Sequence, residues 1–492
     1  MVPHPGCPGV AVDGSRRTAL HPGRRPVSLQ LSHGAGAPLY GVAPPSLDRL
    51  PGLPGAGAPP IRLYRHGSHL TDASILFHDR PLCSGSVGDM SGHWLRDGIR
   101  AIKGCLQTRG YRLALALNIA LVLSYVGLLT IVIARRLTWM ADFTSHYTGG
   151  YILREGRGAR LYDLTLQATI QQRLLSGRYL GDGLLPFNRP PHTALLMAPL
   201  TLLPLEWAYG IWLGFNLILW AVLLWDLWRT YSDWSRQERA MVALTWTALP
   251  FWLRAVALGT FSIWGSFVMW RFTMALQRNR EREAGLYLAL GSVHPTVTLF
   301  PLLALVGGRR WRAVGAWAAA MALIAGLVTL LMGPSIWIGF LNVLRATASA
   351  RDHPGIDPAS MYNLRGALFT LLGPEAWEEI QIAAWAMLGI GIGLTLIAWW
   401  KIGPAGGPLL NLHLGWTVLA GLLLSPHLNP QDGLLVGLPA LWLYQGMRGT
   451  RGSHRAFATI AVLSPAVFFF GEALIEPRVG IRLPILGMLL LG

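Results

Sequence analysis

Charge is scarce in this sequence. Only 13% of its 492 residues are Asp, Glu, Lys or Arg, and 52% are hydrophobic. Soluble domains carry about 25% charged residues, so a water-soluble fold of this length is excluded. Cysteine is nearly unused. Cys7, Cys83 and Cys105 all precede the first long apolar run, so no structural disulfide is expected. Residues 1–95 lack any sustained apolar period and are rich in Pro, Gly, Arg, Ser and His, a composition that cannot build a core. They also lack the apolar h-region of a secretory leader. The chain has no Walker P-loop, no GxGxxG between strand and helix, and no Cys/His pattern with zinc spacing. Nucleotide-driven chemistry is therefore not expected.

What the chain does have is long apolar runs. Those at 112–133, 207–228, 240–258, 313–333, 381–400 and 456–471 approach or exceed a bilayer's width as helix, with shorter runs at 261–276, 408–424, 433–446 and 481–492. The predicted fold is all-α: a polytopic membrane domain over 96–492 with about ten transmembrane helices. The net charge of +17 comes from basic residues lying mostly between the apolar runs rather than along one face, so it reads as a topology signal and not as a nucleic-acid surface. Short basic loops at 229–239, 278–282 and 447–455 are expected in the cytoplasm. Residues 134–191 then form the first extracytoplasmic loop. Its arginines run against the positive-inside bias and suggest anionic ligands. The run 193–205 is too short to span and reads as re-entrant or interfacial. The run 286–308 is either a broken, re-entrant helix pair around Pro295 or a sign that one basic loop lies outside.

In the first external loop, "DFTSHYTGGYILREG" spaces Phe143, Tyr147 and Tyr151 four residues apart, a stripe suited to lying at the bilayer interface. Asp142 stands at its start as a helix cap or as a catalytic carboxylate. A second amphipathic helix is expected in "LYDLTLQATIQQRLLSG", with Asp163 as N-cap, Tyr162, Leu166, Ile170 and Leu174 on one face, and Gln167, Gln171 and Arg173 elsewhere. Arg254 and Arg271 sit in or near spans, where snorkelling competes with a cavity-facing role. His146 is one turn beyond Asp142, His353 lies in "ARDHPGIDP", and His427 and Asp432 flank a span end; singly, each reads as a loop residue.

Taken in order, the acid-aromatic start after the first span, then "LYDLTLQ", "FNRPPHTALLMAPLTLLPLEWAYGIW", "LGSVHPTVTLFPLLALVGGRRWRAV" and "LLLSPHLNPQDGLLVGLP" resemble the polytopic glycosyltransferases of family 87, of the GT-C class, over about residues 110–446. The resemblance implies transfer of a sugar, mannose among the hexoses, from a polyprenyl-phosphate donor to a lipid or glycan acceptor. The active site would face the extracytoplasmic side of a multi-pass protein in the cell membrane. Such a donor is already activated, so no cofactor and no metal are expected, and the loop has no Asp-x-Asp pair. The partners would be the lipid-linked sugar, the acceptor and membrane lipids, with no nucleic acid. Asp142 would be the general base, and the candidate substrate-binding residues are His146, Asp163, Arg189, Arg254, His294 and His427. Asp163 reads first as a cap. Arg189, Arg254 or His294 would stabilise the leaving phosphate. One base with direct displacement implies inversion, and a β-linked phosphomannose would give an α-mannoside. The chain departs from the family at His294, where lysine is common before the proline, and at Gly259–Thr260, where Gly-Gln is common. His294 can replace the lysine only as an imidazolium or as a neutral donor. The rival readings are a transporter or flippase of lipid-linked sugars, whose two similar halves are not evident here, and a non-catalytic envelope assembly protein.

Residues 1–89 are expected to be dispensable. A chain starting at Met90 should insert into membranes and keep full transfer activity, and loss of either in a membrane-fraction assay would assign the segment a role.

Overall fold

The computed structural model describes residues 93–135, 142–176, 184–349, 357–403, 409–448, 451–471 and 488. The chain divides into two units, Met1–Val87 and Gly88–Gly492, of which the first lies wholly outside the described residues. So do Cys7, Cys83, Asp352, His353 and all of the run 481–492 except Met488. The described part is helical, with no strand among the described residues.

Hydropathy writes the long helices. Helix α1 (His93–Ala134) contains the first span, followed by α2 (Phe143–Arg154), α3 (Leu164–Leu174), α4 (Pro191–Met197) and the long α5 (Leu205–Thr230). The apolar α11 (Trp311–Met332) and α14 (Trp377–Ile402) complete, with Arg112–Ala134 and α5, the 4 helices long and apolar enough to cross a membrane among the described residues. A fifth is obtained if α6 (Arg236–Ala248) and α7 (Pro250–Leu258), bent by 57°, count as one span. Pro250 at the first turn of α7 causes that bend, because proline pushes Leu249 out of the helical region. The remaining apolar helices are shorter than a span: 297–307, α15 (Leu410–Leu423) and 459–470. Outward residues such as Leu330 on α11 and Ile382 on α14 are 82% and 71% exposed, an arrangement that only a hydrocarbon solvent makes favourable.

Two short segments follow local stereochemistry. α9 (Glu281–Leu290) gives way to a 3-10 turn at 291–293, the backbone leaves the helix at His294 (φ −129°, ψ 78°), and α10 (Pro295–Gly307) restarts with proline at its first position. The run 193–205 forms α4 and a 3-10 turn at Ala198–Leu202, too short to cross. The other helices are α8 (Ser262–Gln277), α12 (Ser335–Ser349), α13 (Leu364–Leu372), α16 (Gly437–Met447) and α17 (Arg451–Phe470). Arg271 on α8 pairs with Asp226 on α5 and lies over the Tyr287 ring, so it is engaged within the helix bundle.

The aromatic stripe of α2 corrects the interfacial reading. Phe143 and Tyr147 are buried; the Phe143 ring lies 5.7 Å from Tyr209 and 6.4 Å from Trp212 on α5, and the Tyr147 hydroxyl donates to the Leu203 carbonyl at 2.7 Å. Thr144, Ser145, Thr148, Gly149 and Gly150 are buried too, so α2 is covered on almost every side. Its stripe packs against protein. α3 differs in a similar way: Gln167 and Gln171 are buried and hold residues 185–187. Leu185 N and Phe187 N donate to the two side-chain oxygens at 2.9 and 2.7 Å, and Gln171 Nε2 donates back to the Leu185 carbonyl at 2.6 Å. A small core of Ile152, Leu161, Leu166, Ile170, Val328, Met332 and Ile336 seats this loop on the ends of α11 and α12.

Close approach of α2 to α4 requires glycine. A Cβ on Gly150 would lie 2.7 Å from the Met197 carbonyl carbon, inside backbone that cannot swing aside. Gly150→Val should lower thermal stability in detergent by about 1–3 kcal/mol or prevent folding. An unchanged melting curve would show that the two helices can part freely.

Candidate active site

Five stretches meet at the start of α2. Asp142 precedes the helix with its carboxylate making no capping bond; it accepts a hydrogen bond from Gln431 Nε2 at 3.1 Å. One turn on, His146 is buried against Phe261, ring centroids 4.9 Å apart, and neither ring nitrogen has a hydrogen-bond partner. The extended segment held by Gln167 and Gln171 delivers Arg189, whose carbonyl accepts from Tyr162 at 2.8 Å, and then His192, whose Nε2 is 3.1 Å from Ser292 Oγ. Gly259 ends α7 in the left-handed conformation (φ 64°), which glycine adopts at little cost, and lets the chain turn through Thr260 into α8 at Ser262. The break before Pro295 presents His294. The segment after α15 supplies His427, Gln431 and Asp432.

Asp432 is the most constrained of these. It is buried, and its Oδ1 accepts from Ser262 Oγ at 2.6 Å and lies 2.9 Å from His294 Nε2. Burial alone would raise its pKa, but His294, Arg189 and the Ser262 hydroxyl outweigh that and bring it down to about 2. Asp142 is the opposite case. Burial pushes it up to about 6, Arg189 opposes the rise and Asp432 adds to it. Arg189 thus interacts with both carboxylates, and its Nε has no hydrogen-bond partner. Burial and Arg189 lower His146 well below the ordinary histidine range and His427 to about 4, so both rings are neutral at neutral pH.

Residues 187–426 match the family described as Glycosyltransferase family 87. The match spans a little under half of the chain. A curated relative in Mycolicibacterium smegmatis, a "Polyprenol-phosphate-mannose-dependent alpha-(1-2)-phosphatidylinositol pentamannoside mannosyltransferase", is 28% identical over 342 residues, covering 66% of this chain and 77% of that protein. No solved structure matches the chain. The match, the curated relative and the apolar helices support a membrane glycosyltransferase and do not favour the transporter reading. Within family 87 terms, the matched span contains Arg189, His192, Arg254 and His294, while Asp142, His427 and Asp432 lie outside it.

Of the residues singled out from the sequence, the fold gathers Asp142, His146, Arg189, His294 and His427. Asp163 stands apart. Its carboxylate accepts from Leu166 N at 3.0 Å and pairs with Arg160 at 2.6 Å, so it caps α3 and is occupied there. Arg254 is half-buried on α7, which packs on the turn at 430–436. Ser262, Gln431, His192 and Arg365 carry no signal of their own in the sequence, and Asp432 reads there only as a loop residue at a span end. Arg365 is buried on α13, with NH1 donating to the Pro426 carbonyl at 2.8 Å and its guanidinium 4.6 Å from the Trp377 ring centre. It braces the loop that carries His427. The Pro-Pro-His and Ser-Pro-His motifs marked these neighbourhoods, whereas nothing local marks Ser262.

Removing the Asp432 carboxylate would leave the buried Arg189 with one acid instead of two and take away the oxygen that His294 and Ser262 share. Asp432→Ala should therefore destabilise the protein by about 3–5 kcal/mol, read as a fall in thermal midpoint in detergent. A fall of less than about 1 kcal/mol would mean that the pair is solvated.

Proposed function

We propose that this protein is a family 87 glycosyltransferase that transfers mannose from a polyprenyl-phosphate donor to a lipid or glycan acceptor at the extracytoplasmic face, with inversion, and that Asp142 is the general base. The observation that carries the reading is the divergence of two neighbouring carboxylates. Asp432 is committed to His294 and Ser262 and stays ionised; Asp142 takes a hydrogen bond from the neutral Gln431 amide and titrates near neutrality, at about 6. Environments that drive paired acids apart assign their roles: a permanent anion that organises cations, and a base matched to the working pH.

In the proposed step, Asp142 takes the proton of an acceptor hydroxyl. The hydroxyl oxygen attacks the anomeric carbon as the bond from that carbon to the phosphate oxygen breaks, and polyprenyl phosphate departs with the bonding electrons. A single displacement inverts the anomeric centre. The leaving phosphate gains charge, which the Arg189 guanidinium and the neutral ring N–H groups of His146 and His427 are suited to stabilise. The mannose donor is supported by the Mycolicibacterium smegmatis relative, whose description names polyprenol-phosphate-mannose. The extracytoplasmic face is supported by the short basic loops at 229–239 and 447–455.

Asp142→Asn keeps shape and removes basicity, so transfer from a polyprenyl-phosphate mannose in reconstituted membranes should fall about 10²–10⁴-fold with donor binding retained. In the native enzyme kcat/KM should fall as pH drops through about 6, because only the ionised carboxylate accepts a proton. Near-native turnover by the Asn variant would move the base elsewhere.

A further inference from the structure

The turn at Pro430–Val436 carries consecutive side chains with different partners. Gln431 reaches Asp142, 289 positions earlier in the chain, and Asp432 reaches Ser262 and His294. A 3-10 turn separates successive side chains by about 120°, so one short element can touch Asp142 on one side and the buried Asp432–His294 contact on the other. The turn is itself fixed. Its first residue is proline, Asp432 N donates to the Asn429 carbonyl at 3.0 Å, and Trp246 Nε1 donates to the Leu434 carbonyl at 2.8 Å. Asp142, by contrast, receives no orienting bond from the helix it precedes, because its carboxylate does not cap α2.

We propose that Gln431 is a positioning residue for the transfer reaction: its amide holds Oδ2 of Asp142, leaves Oδ1 for the acceptor hydroxyl, and ties the base to the Asp432–His294 pair. The inference rests on Asp142 being the base. A neutral donor suits the task, since it fixes the carboxylate and favours its ionised form without cancelling the charge that makes it basic. The other groups bearing on Asp142 are Arg189 and Asp432 directly, with His146 one turn along α2 and His294 and His427 grouped around the same cations. Without the amide, Arg189 alone opposes burial and Asp432. The acid limb of the pH profile then moves up.

The test is kcat/KM against pH, from about pH 5 to about pH 9, for the full-length purified chain in lipid with a polyprenyl-phosphate mannose donor. Gln431→Leu removes the donor with little change in size. Gln431→Glu keeps the shape and sets an acid beside Asp142. Each variant that folds should shift the acid limb upward by about one pH unit, lowering transfer near neutrality about tenfold and recovering at alkaline pH. A merely structural role would lower the rate by one factor at every pH, and a limb that stays in place overturns the proposal. Asp142→Asn run alongside separates the two ideas. If it is inactive while the Gln431 variants leave the limb unmoved, only the positioning role falls; if it is active, the base assignment falls and takes this role with it.

Discussion

The site depends on one buried anion. Asp432 gathers a hydroxyl from the start of α8, an imidazole from the break between α9 and α10 and, through space, the guanidinium of the 184–190 segment. These elements come from distant parts of the chain, and a shared apolar core containing Phe261, Ile263, Val293 and Leu434 packs them around the anion. A buried carboxylate is costly unless its lone pairs are used, and here the cost is met by donors that must come to it. The helix break at His294 and the left-handed turn at Gly259 serve that convergence: each ends a helix at the position from which a side chain can reach the anion.

Cations and neutral rings then divide the work. Arg189 interacts with two acids, and burial, helped by its field, holds His146 and His427 in their neutral form, which leaves them as hydrogen-bond donors rather than competing charges. The half-buried guanidinium is delivered by backbone whose pairing is unusual. Gln167 and Gln171 on α3 offer amide groups to residues 185–187 much as an adjacent strand would, so an irregular segment gains the rigidity of a ladder without a sheet.

What could be read without coordinates was whatever stereochemistry writes locally. Pro295 ends one helix and begins another, Asp163 caps α3, and long apolar runs become the long helices. The 3.6-residue period of Phe143, Tyr147 and Tyr151 was equally plain, but it reports an apolar face and is silent on whether lipid or protein covers it. Gln167 and Gln171 lie off the apolar face of α3 in the sequence pattern, which says nothing of what they touch. In the structure both are buried, and their polarity marks a hydrogen-bonding duty to residues 185–187. Ser262 and Gln431 meet their acids across 170 and 289 positions, a separation that leaves no periodic trace. His294 was legible as an oddity, a histidine where lysine is common, and the structure gives it a partner in Asp432.

The separation between Asp142 and Gln431 also has a consequence for biogenesis. Ribosomes add about 5–20 residues per second, so a nascent chain that has just placed Asp142 beyond its first span waits roughly 15–60 s before Gln431 exists. The α5 neighbours of α2 are made within the first third of that interval, but the turn that holds its acid is not. The candidate site is thus among the last features to close during synthesis. Until α15 and the turn after it have been made and packed, the intermediate is a set of apolar helices around an unfinished polar pocket, the state in which a membrane chaperone or a quality-control protease has most to recognise.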